Sequence, residues 1–492
     1  MHILRISALL LVAGGCASAG GGGGSRAARP AAPVSPAAES TTTTATAAAA
    51  PATGAFVVPV RYDTLSNGLR VVLSRDTTAP IVTVAVYYNV GFRLEPRDRT
   101  GFAHLFEHLM FQGSRNLGKL EFIRLVQKNG GILNGSTRFD FTNYFEIVPA
   151  HTLRTMLWAE ADRMRGLDIT QENLANQQGV VKNEVRVNVL NQPYGGFPWL
   201  DVPQYANTNW YNAHNFYGDL SDIDAATLAD AQAFFRTYYT PRNAVLVVSG
   251  DFDPEQAMGW VRQYFGSIPA APRPAQPDLR EPRQEKEKRA TRVDSLAPRP
   301  ALAIAYHMPA RGTPEYYAMG LIDQILLQGK DSRLHQALVQ RTGLTGDVSG
   351  GINLLGNMYD YGGPMLWTAS LIHDPDKSAD SILKVIDATI EPLRTTTVDQ
   401  ATLDRALVKA RSALYDDMDE LVGFGRADLL ASFALFDGDP SRINDIEAQY
   451  RKVTPELVRR TAEEYLRPGN RTVLIIQPKG AAKGGSDTRS GS

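Results

Sequence analysis

The stretch from His104 to His108 reads His-Leu-Phe-Glu-His and decides how the rest of the chain is interpreted. On an α-helix, residues four apart lie on one face, so His104 and His108 can bind one tetrahedral cation. Glu107 would lie beside the remaining coordination position. A carboxylate there can take the proton of a metal-activated water as that water attacks a carbonyl. The pattern H-x-x-E-H is typical of an inverted zinc-hydrolase motif.

A chance cluster on a solvated helix is the alternative to a metal site. The chain has 8 His in 492 residues, a frequency at which such a match arises at random with a probability of about 0.01. The site needs a third ligand, and Glu184 is the best candidate, 76 residues after His108. The apolar positions of residues 179–186 suit a second packed helix. Judged alone, Glu184 fits a surface position of that helix better than a ligand position.

The motif is embedded in a longer signature. Its parts are Gly91-Phe92-Arg93-Leu94-Glu95-Pro96, then Thr100-Gly101-Phe102-Ala103 directly before the motif and Leu109-Met110-Phe111-Gln112-Gly113 directly after it. This signature resembles that of the pitrilysin/insulinase family of zinc metallopeptidases, in its short, processing-peptidase-like branch. The resemblance extends from about Tyr62 to Pro478, so it covers nearly all of the chain outside its ends.

The resemblance implies a site and a fold. It implies that Zn²⁺ is bound by His104, His108 and Glu184. It also implies that Glu107 is the catalytic base. A site of two His and one Glu binds Co²⁺ or Mn²⁺ as well, so the ligands are better defined than the metal. The implied fold is of the α+β class, with two homologous tandem domains, each a mixed β-sheet with helices packed on one face, as in mitochondrial processing peptidase.

Residues 130–146 resemble the segment that lines the substrate site in this family. Asn134 and Gly135 match positions at which the family contacts the peptide backbone, and Tyr144 matches a position that often carries an aromatic residue. Pairing of an extended peptide with a sheet edge supplies affinity without reading side chains, which suits a protease of broad specificity. The alternative is that Gly130-Gly131 and Asn134-Gly135 are simply tight turns.

The chain departs from the family pattern in its outer metal shell and in its second half. Gln177 stands seven positions before Glu184, where the family usually has an acidic residue. Val339 and Gly346 stand where many members have an Arg and a Tyr that hold the substrate, and Arg341 is two positions out of register. In the family, two double-domain halves close around a chamber. We therefore expect a homodimer, or a heterodimer in which an inactive paralogue supplies the Arg/Tyr pair.

An internal duplication divides the body of the chain. Residues 269–294 are rich in Pro and charged residues, which is typical of a linker. Residues 233–248 and 462–476 repeat the same order of helix-like, turn and strand-like patterns. The helix predicted at 315–327 has no His, so the second copy is catalytically degenerate. The predicted ranges are 56–270 for the zinc-bearing domain, 271–294 for the linker and 295–479 for the second domain.

The N-terminus has the pattern of an export signal. Arg5 precedes an apolar run that ends in Ala13-Gly14-Gly15-Cys16. The position of Cys16 resembles a bacterial lipoprotein cleavage site, where the thiol is lipidated; the alternative is a signal peptide cut after Ala17-Ser18-Ala19. Residues 17–55 are almost entirely Gly, Ala, Pro, Ser and Thr, which predicts a disordered tether, and residues 480–492 are predicted to be a disordered tail. We expect a periplasmic protein that is lipid-anchored, with the outer membrane favoured.

Composition excludes several other classes of function. The net charge of −1 argues against nucleic acid as a partner. Apart from the N-terminal run, no apolar stretch reaches the ~18–20 residues that span a bilayer, so any membrane contact would be through the lipid anchor. The sequence predicts an exported zinc metalloendopeptidase that cleaves peptides or unfolded protein segments. A non-catalytic structural or chaperone-like subunit of a peptidase-fold complex is the alternative.

Overall fold

The computed structural model describes residues 56–479, so the predicted signal peptide, Cys16, the tether and the C-terminal tail lie outside the described residues. The first half contains a six-stranded sheet in the order β1-β2-β6-β3-β5-β4. Its strands are β1 (Arg61–Thr64), β2 (Arg70–Arg75), β3 (Ile81–Tyr88), β4 (Ile132–Thr137), β5 (Thr142–Pro149) and β6 (Ala244–Gly250). Neighbouring strands are antiparallel except for β2 and β6, which are parallel.

The helices of the first half lie between and after these strands. They are α1 (Phe102–Leu109), α2 (Glu121–Lys128), α3 (Leu153–Arg165), α4 (Gln171–Val185), α5 (Asp201–Ala206), α6 (Trp210–Ala213), α7 (Leu220–Ala225), α8 (Leu228–Tyr238) and α9 (Pro254–Phe265). Side-chain caps define where several begin. The hydroxyl of Thr170 accepts a hydrogen bond from the N–H of Asn173 at the start of α4, and Thr227 and Asp230 form a reciprocal capping box on α8.

The second half contains a five-stranded sheet in the order β7-β11-β8-β10-β9. Its elements are β7 (Lys288–Asp294), β8 (Ala301–His307), α10 (Pro314–Leu326), α11 (Arg333–His335), β9 (Ser349–Ile352), β10 (Leu366–Ile372), α12 (Ala379–Thr395), α13 (Gln400–Ser432), α14 (Ile446–Arg451), α15 (Pro455–Tyr465) and β11 (Arg471–Pro478). Short 3₁₀ or π turns occupy Phe92–Leu94, Ala150–Thr152, Arg186–Leu190, Pro241–Asn243, Gln336–Arg341, Phe433–Asp437, Pro440–Asn444 and Pro468–Asn470.

The two sheets have the same topology. Strands β2-β6-β3-β5-β4 of the first correspond in order and direction to β7-β11-β8-β10-β9 of the second, because β7 and β11 are also a parallel pair and the other pairs are antiparallel. This confirms the predicted α+β class with two tandem domains. The sequence therefore builds one supersecondary unit twice.

One boundary predicted from the sequence is wrong. Residues 288–294, assigned to the linker, form β7, the counterpart of β2. β7 is an edge strand whose residues alternate between half-buried and exposed, so it carries charged side chains where a central strand would be apolar. Its composition therefore matched that of a linker. The other predicted domain limits stay predictions.

The first sheet is covered on both faces. Helices α1, α3 and α9 pack on one face, while α13 of the second half lies against β3 and β6 on the other. The Tyr87 hydroxyl of β3 donates a 2.5 Å hydrogen bond to Asp428 of α13, and the ring of Phe145 stacks on that of Phe424. Burial on both faces explains why β3 is almost continuously apolar. In the part of the chain that is described, no helix combines the length and hydropathy needed to cross a membrane.

Candidate metal centre and catalytic site

Helix α1 carries the motif and is buried along its whole length. Phe102 and Phe106 fix one side of α1, because both rings pack against Phe234 of α8, at centroid distances of 5.5 and 4.8 Å. The N-terminal end is held by Glu95, whose carboxylate accepts hydrogen bonds from the N–H groups of Gly101 (2.8 Å) and Ala103 (2.6 Å). These contacts leave the opposite side of α1 facing α4 and the site.

The structure brings the three predicted ligands together. Nε2 of His104 lies 3.5 Å from Oε1 of Glu184, and Nε2 of His108 lies 3.2 Å from Oε2. One candidate donor atom from each residue lies within 4.8 Å of the others. Two donors bound to a tetrahedral Zn²⁺ at ~2.1 Å would be about 3.4 Å apart, so these separations suit that ion. Helix α4 supplies Glu184, its second-to-last residue, as the resemblance implied.

The environment of the three residues also suits a cation. Both histidines are buried, and Oε1 of Glu184 is shielded from solvent without a hydrogen-bond donor among the described residues. Burial acts to lower the pKa of His104, but the proximity of Glu184 and the charges of Glu107 and Glu184 outweigh it and raise the pKa. Burial acts to raise the pKa of Glu184, but the two imidazoles hold it well below its usual range. Metal binding needs the imidazoles in their neutral form, so it would release a proton held by His104.

Glu107 lies on the same helix face, next to the cluster, and is 4% exposed. The hydroxyl of Thr137, on β4, donates a 2.7 Å hydrogen bond to Oε2 of Glu107. Gly135, on the same strand, leaves room for this side chain, because a Cβ at that position would lie 3.3 Å from Cγ of Glu107. Strand β4 therefore fixes one carboxylate oxygen and leaves the other free to accept a proton.

The predicted substrate-binding residues have different environments. Asn134 and Gly135 lie within β4, the edge strand of the first sheet, so the alternative that they form a turn is wrong. Gly130 does occupy a left-handed turn, with φ of 76°. The assignment of Tyr144 to the substrate site is also wrong. Its side chain is 1% exposed, and its hydroxyl donates to the carbonyl oxygen of Phe106 (3.1 Å), so it supports α1 from within the core.

The positions that depart from the family pattern lie as follows. Gln177 is buried on α4, where its Nε2 donates a 2.8 Å hydrogen bond to Oδ1 of Asn176. Val339 is half-buried in the π turn Gln336–Arg341, and Gly346 is exposed in the loop before β9. Among residues 56–479, the only group that could hold a metal is formed by the two motif histidines and Glu184.

Sequence reasoning missed Tyr217, a neighbour of the ligands. Its ring centroid lies 5.2 Å from that of His104, with the ring planes inclined by 60°. Tyr217 follows α6, more than 100 residues after the motif, and no spacing or periodicity links it to α1. Glu95 belonged to the quoted signature, but only the structure gives it a role as the cap of α1.

Comparisons with known proteins agree with this fold. The family model described as Insulinase (Peptidase family M16) matches residues 70–195, and the model described as Peptidase M16 inactive domain matches residues 225–408, together well over half of the chain. The zinc protease PqqE of Helicobacter pylori is 27% identical over 427 residues, covering 84% of this chain and 92% of that protein. An uncharacterized zinc protease of Mycobacterium tuberculosis is 25% identical, covering 85% and 93%.

Solved structures show the same architecture. The crystal structure of a protease from Helicobacter pylori superposes with a TM-score of 0.77 at 26% identity, covering 86% of this chain and all of that one. A structure from Pseudomonas fluorescens, described as a peptidase M16 inactive domain, gives a TM-score of 0.74 at 18% identity, covering 86% and 98%. The duplicated fold, the signature around α1 and these matches place the chain in the M16 (insulinase) family of zinc metallopeptidases.

Proposed function

We propose that this protein is a zinc metalloendopeptidase that hydrolyses peptides or unfolded polypeptide segments, with Glu107 as the general base. The observation that carries the proposal is the convergence of two imidazoles and the Glu184 carboxylate within 4.8 Å. A second, buried carboxylate, that of Glu107, lies on the helix that carries the two histidines. Zn²⁺ bound by His104, His108 and Glu184 would lower the pKa of a water molecule and polarise the scissile carbonyl.

Glu107 would act twice in the reaction. Its free oxygen would take a proton from the attacking water and then deliver that proton to the nitrogen of the leaving amine. Because Thr137 donates to Oε2, the carboxylate cannot rotate away between these two events without breaking a buried hydrogen bond. The residues of this chain would thus supply the base and its orientation.

Strand β4 would bind the substrate. It is an edge strand of the first sheet, and its residues Gly135 and Thr137 lie next to Glu107. An extended peptide that added to this edge would be held by main-chain hydrogen bonds, with little dependence on side chains. Such binding supports peptides and unfolded segments as the substrate class.

Location and assembly are part of the same proposal. The pattern that ends at Cys16 supports export to the bacterial periplasm and attachment to the outer membrane through a lipid. A second copy of this chain or an inactive paralogue would close the chamber over the site. The residues at 339 and 346, Val and Gly, leave the family's Arg/Tyr pair to be supplied from elsewhere.

Cleavage of a quenched-fluorescent peptide library by the purified, zinc-loaded chain tests the proposal. We expect Glu107→Gln and a chelator each to abolish cleavage, while Glu107→Gln keeps one zinc per chain. Glu172→Gln is the matched control, because Glu172 is an exposed carboxylate at the start of α4. Cleavage that survives Glu107→Gln would refute the role of this residue.

The second candidate function is that of a non-catalytic subunit, and two observations favour it. The family model that matches residues 225–408 is described as an inactive domain, and a human protein named cytochrome b-c1 complex subunit 1 is 26% identical over 272 residues. Genetic complementation separates the two functions. A strain whose only copy carries Glu107→Gln would have the wild-type phenotype if the protein were structural. It would have the phenotype of a deletion strain if the protein were a peptidase.

A further inference from the structure

Tyr217 is held in a fixed orientation against the candidate metal centre. Its ring lies 5.2 Å from His104 on one side and 5.3 Å from the perpendicular ring of Trp199 on another. A Tyr ring bounded by two other rings has few alternative rotamers without loss of packing. The direction in which its hydroxyl points is therefore defined by the fold.

The backbone around Tyr217 is attached to the start of α1. The N–H of Tyr217 donates to Oδ1 of Asn215 (3.2 Å), which closes a local turn. At Gly218, with φ of 79°, a Cβ would lie 2.4 Å from the backbone nitrogen of Gly101, so no larger residue fits. The N–H of Asp219 donates to the hydroxyl of Thr100 at 2.9 Å. Tyr217 thus keeps its position relative to the motif helix.

The hydroxyl of Tyr217 is available as a donor. It makes no hydrogen bond to another residue within the described range 56–479, and the side chain is only partly buried. A tyrosine hydroxyl has an ordinary pKa of about 10, so it carries its proton at neutral pH. Because its ring packs against that of His104, Tyr217 borders the candidate metal centre.

Peptide hydrolysis creates a need for such a donor. The carbonyl oxygen gains negative charge as water adds, and a donor placed at that oxygen stabilises the transition state more than the ground state. The chain has Val339 and Gly346 at the positions where relatives would offer an Arg and a Tyr. A donor from the zinc-bearing half would remove the need for that pair.

We propose that the Tyr217 hydroxyl donates a hydrogen bond to the carbonyl oxygen of the scissile peptide bond, so that this chain supplies its own electrophilic residue. The inference rests on the proposed peptidase function and deepens it. Tyr217 keeps its proton throughout, because it stabilises charge by a hydrogen bond and forms no covalent bond. An inactive paralogue is then not required for the chemistry.

Tyr217→Phe tests the inference, because Phe keeps the ring beside His104 and removes only the oxygen. We expect kcat for peptide cleavage to fall by about 100- to 1000-fold, the range for loss of one oxyanion donor. KM should stay within threefold of the wild-type value, and zinc should still bind at one ion per chain. Tyr205→Phe, at an exposed tyrosine of α5, is the matched control and should leave all three quantities unchanged.

The outcomes separate the inference from the proposed function. If the wild-type chain cleaves, Glu107→Gln does not and Tyr217→Phe keeps its kcat within threefold, the inference is wrong and the peptidase proposal stands. Loss of zinc from Tyr217→Phe would also overturn the inference, because it would show a purely structural role. A zinc-loaded wild-type chain that cleaves only after an inactive paralogue is added would overturn the inference, because the chain would not supply its own electrophilic residue, and would leave the peptidase proposal standing.

Discussion

Glu95 should make the stability of the fold depend on pH in an unusual direction. Its carboxylate is 1% exposed and caps α1 through the N–H groups of Gly101 and Ala103. Burial raises the pKa of Glu95 from 4.5 to about 8, although the two backbone hydrogen bonds act to lower it, and the charge of Asp222 raises it further. At neutral pH the folded protein therefore holds a proton that the unfolded chain has released.

The size of the effect follows from the two pKa values. Below pH 4.5 the carboxyl is protonated in both states, so the full stability is present. Between pH 4.5 and 8 the unfolded chain loses its proton and the folded chain does not, which lowers the free energy of unfolding as pH rises. A difference of about 3.5 pKa units corresponds to about 5 kcal/mol in total, of which about 3 kcal/mol is lost by pH 7.

Glu95→Gln removes this dependence at a fixed structural cost. An amide offers one acceptor oxygen for two N–H groups, so one buried donor loses its partner, at a cost of about 1–3 kcal/mol. The variant should be less stable than the wild type at pH 5 and more stable at pH 8. With these magnitudes the two stability curves cross near pH 6.

Urea unfolding of both chains in a chelator, followed by circular dichroism from pH 5 to pH 8, measures the difference directly. Other titrating groups contribute to both proteins, including His214, whose Nε2 lies 4.0 Å from Oε2 of Glu95. The difference between the two proteins cancels the groups that lie far from position 95, so it reports Glu95 together with its neighbour His214. A difference that stayed constant within about 0.5 kcal/mol over this range would refute both the raised pKa and the argument built on it.

Three further substitutions test the site and the contact between the halves. Glu184→Gln should weaken zinc binding by more than the ~10–100-fold that loss of an outer-shell partner costs; competition with a chromophoric chelator measures this, and an unchanged affinity would exclude Glu184 as a ligand. Thr137→Val should lower kcat/KM by about 10–100-fold with zinc retained, because Glu107 loses its hydrogen bond, whereas an unchanged kcat/KM would contradict that role. Asp140→Ala should lower the free energy of unfolding in denaturant by about 3–5 kcal/mol, since buried Arg93 and two backbone N–H groups of the second half lose their acceptor. A loss below about 1 kcal/mol would be evidence against this role of Asp140.

The part of the site that lies within one helix could be predicted from the sequence. Residues four apart share a helix face by geometry, so His104 and His108 needed no tertiary information. Glu184 needed more, because its position depends on how α4 packs against α1, and only the resemblance to a family supplied that. The duplicated topology could also be predicted from the sequence. The order of helix-like and strand-like patterns along the chain can be read without knowing how the elements pack.

The remaining features depend on contacts between distant segments. Tyr144 looked available to substrate from its place in the chain, but the direction of a strand side chain is set by which sheet face is covered. Tyr217 reaches His104 only because the turn at Gly218 packs against the start of α1. Strand β7 was assigned to the linker since edge strands tolerate charged and polar residues. In each case the deciding interaction spans more than a local window of sequence.

If the protein is the proposed peptidase, strand β4 would connect the choice of substrate to the chemistry in a way that side-chain pockets do not. Gly135 and Thr137 face Glu107, so a peptide added to the edge of β4 would be placed relative to the base by main-chain hydrogen bonds. Successive residues of such a peptide advance by about 3.3 Å, so any extended segment would bring a carbonyl to the same depth. A folded protein already uses these backbone groups internally and would have to unfold locally before it could pair with β4. The preference for unfolded segments would thus arise from the binding edge itself, before any side chain is read.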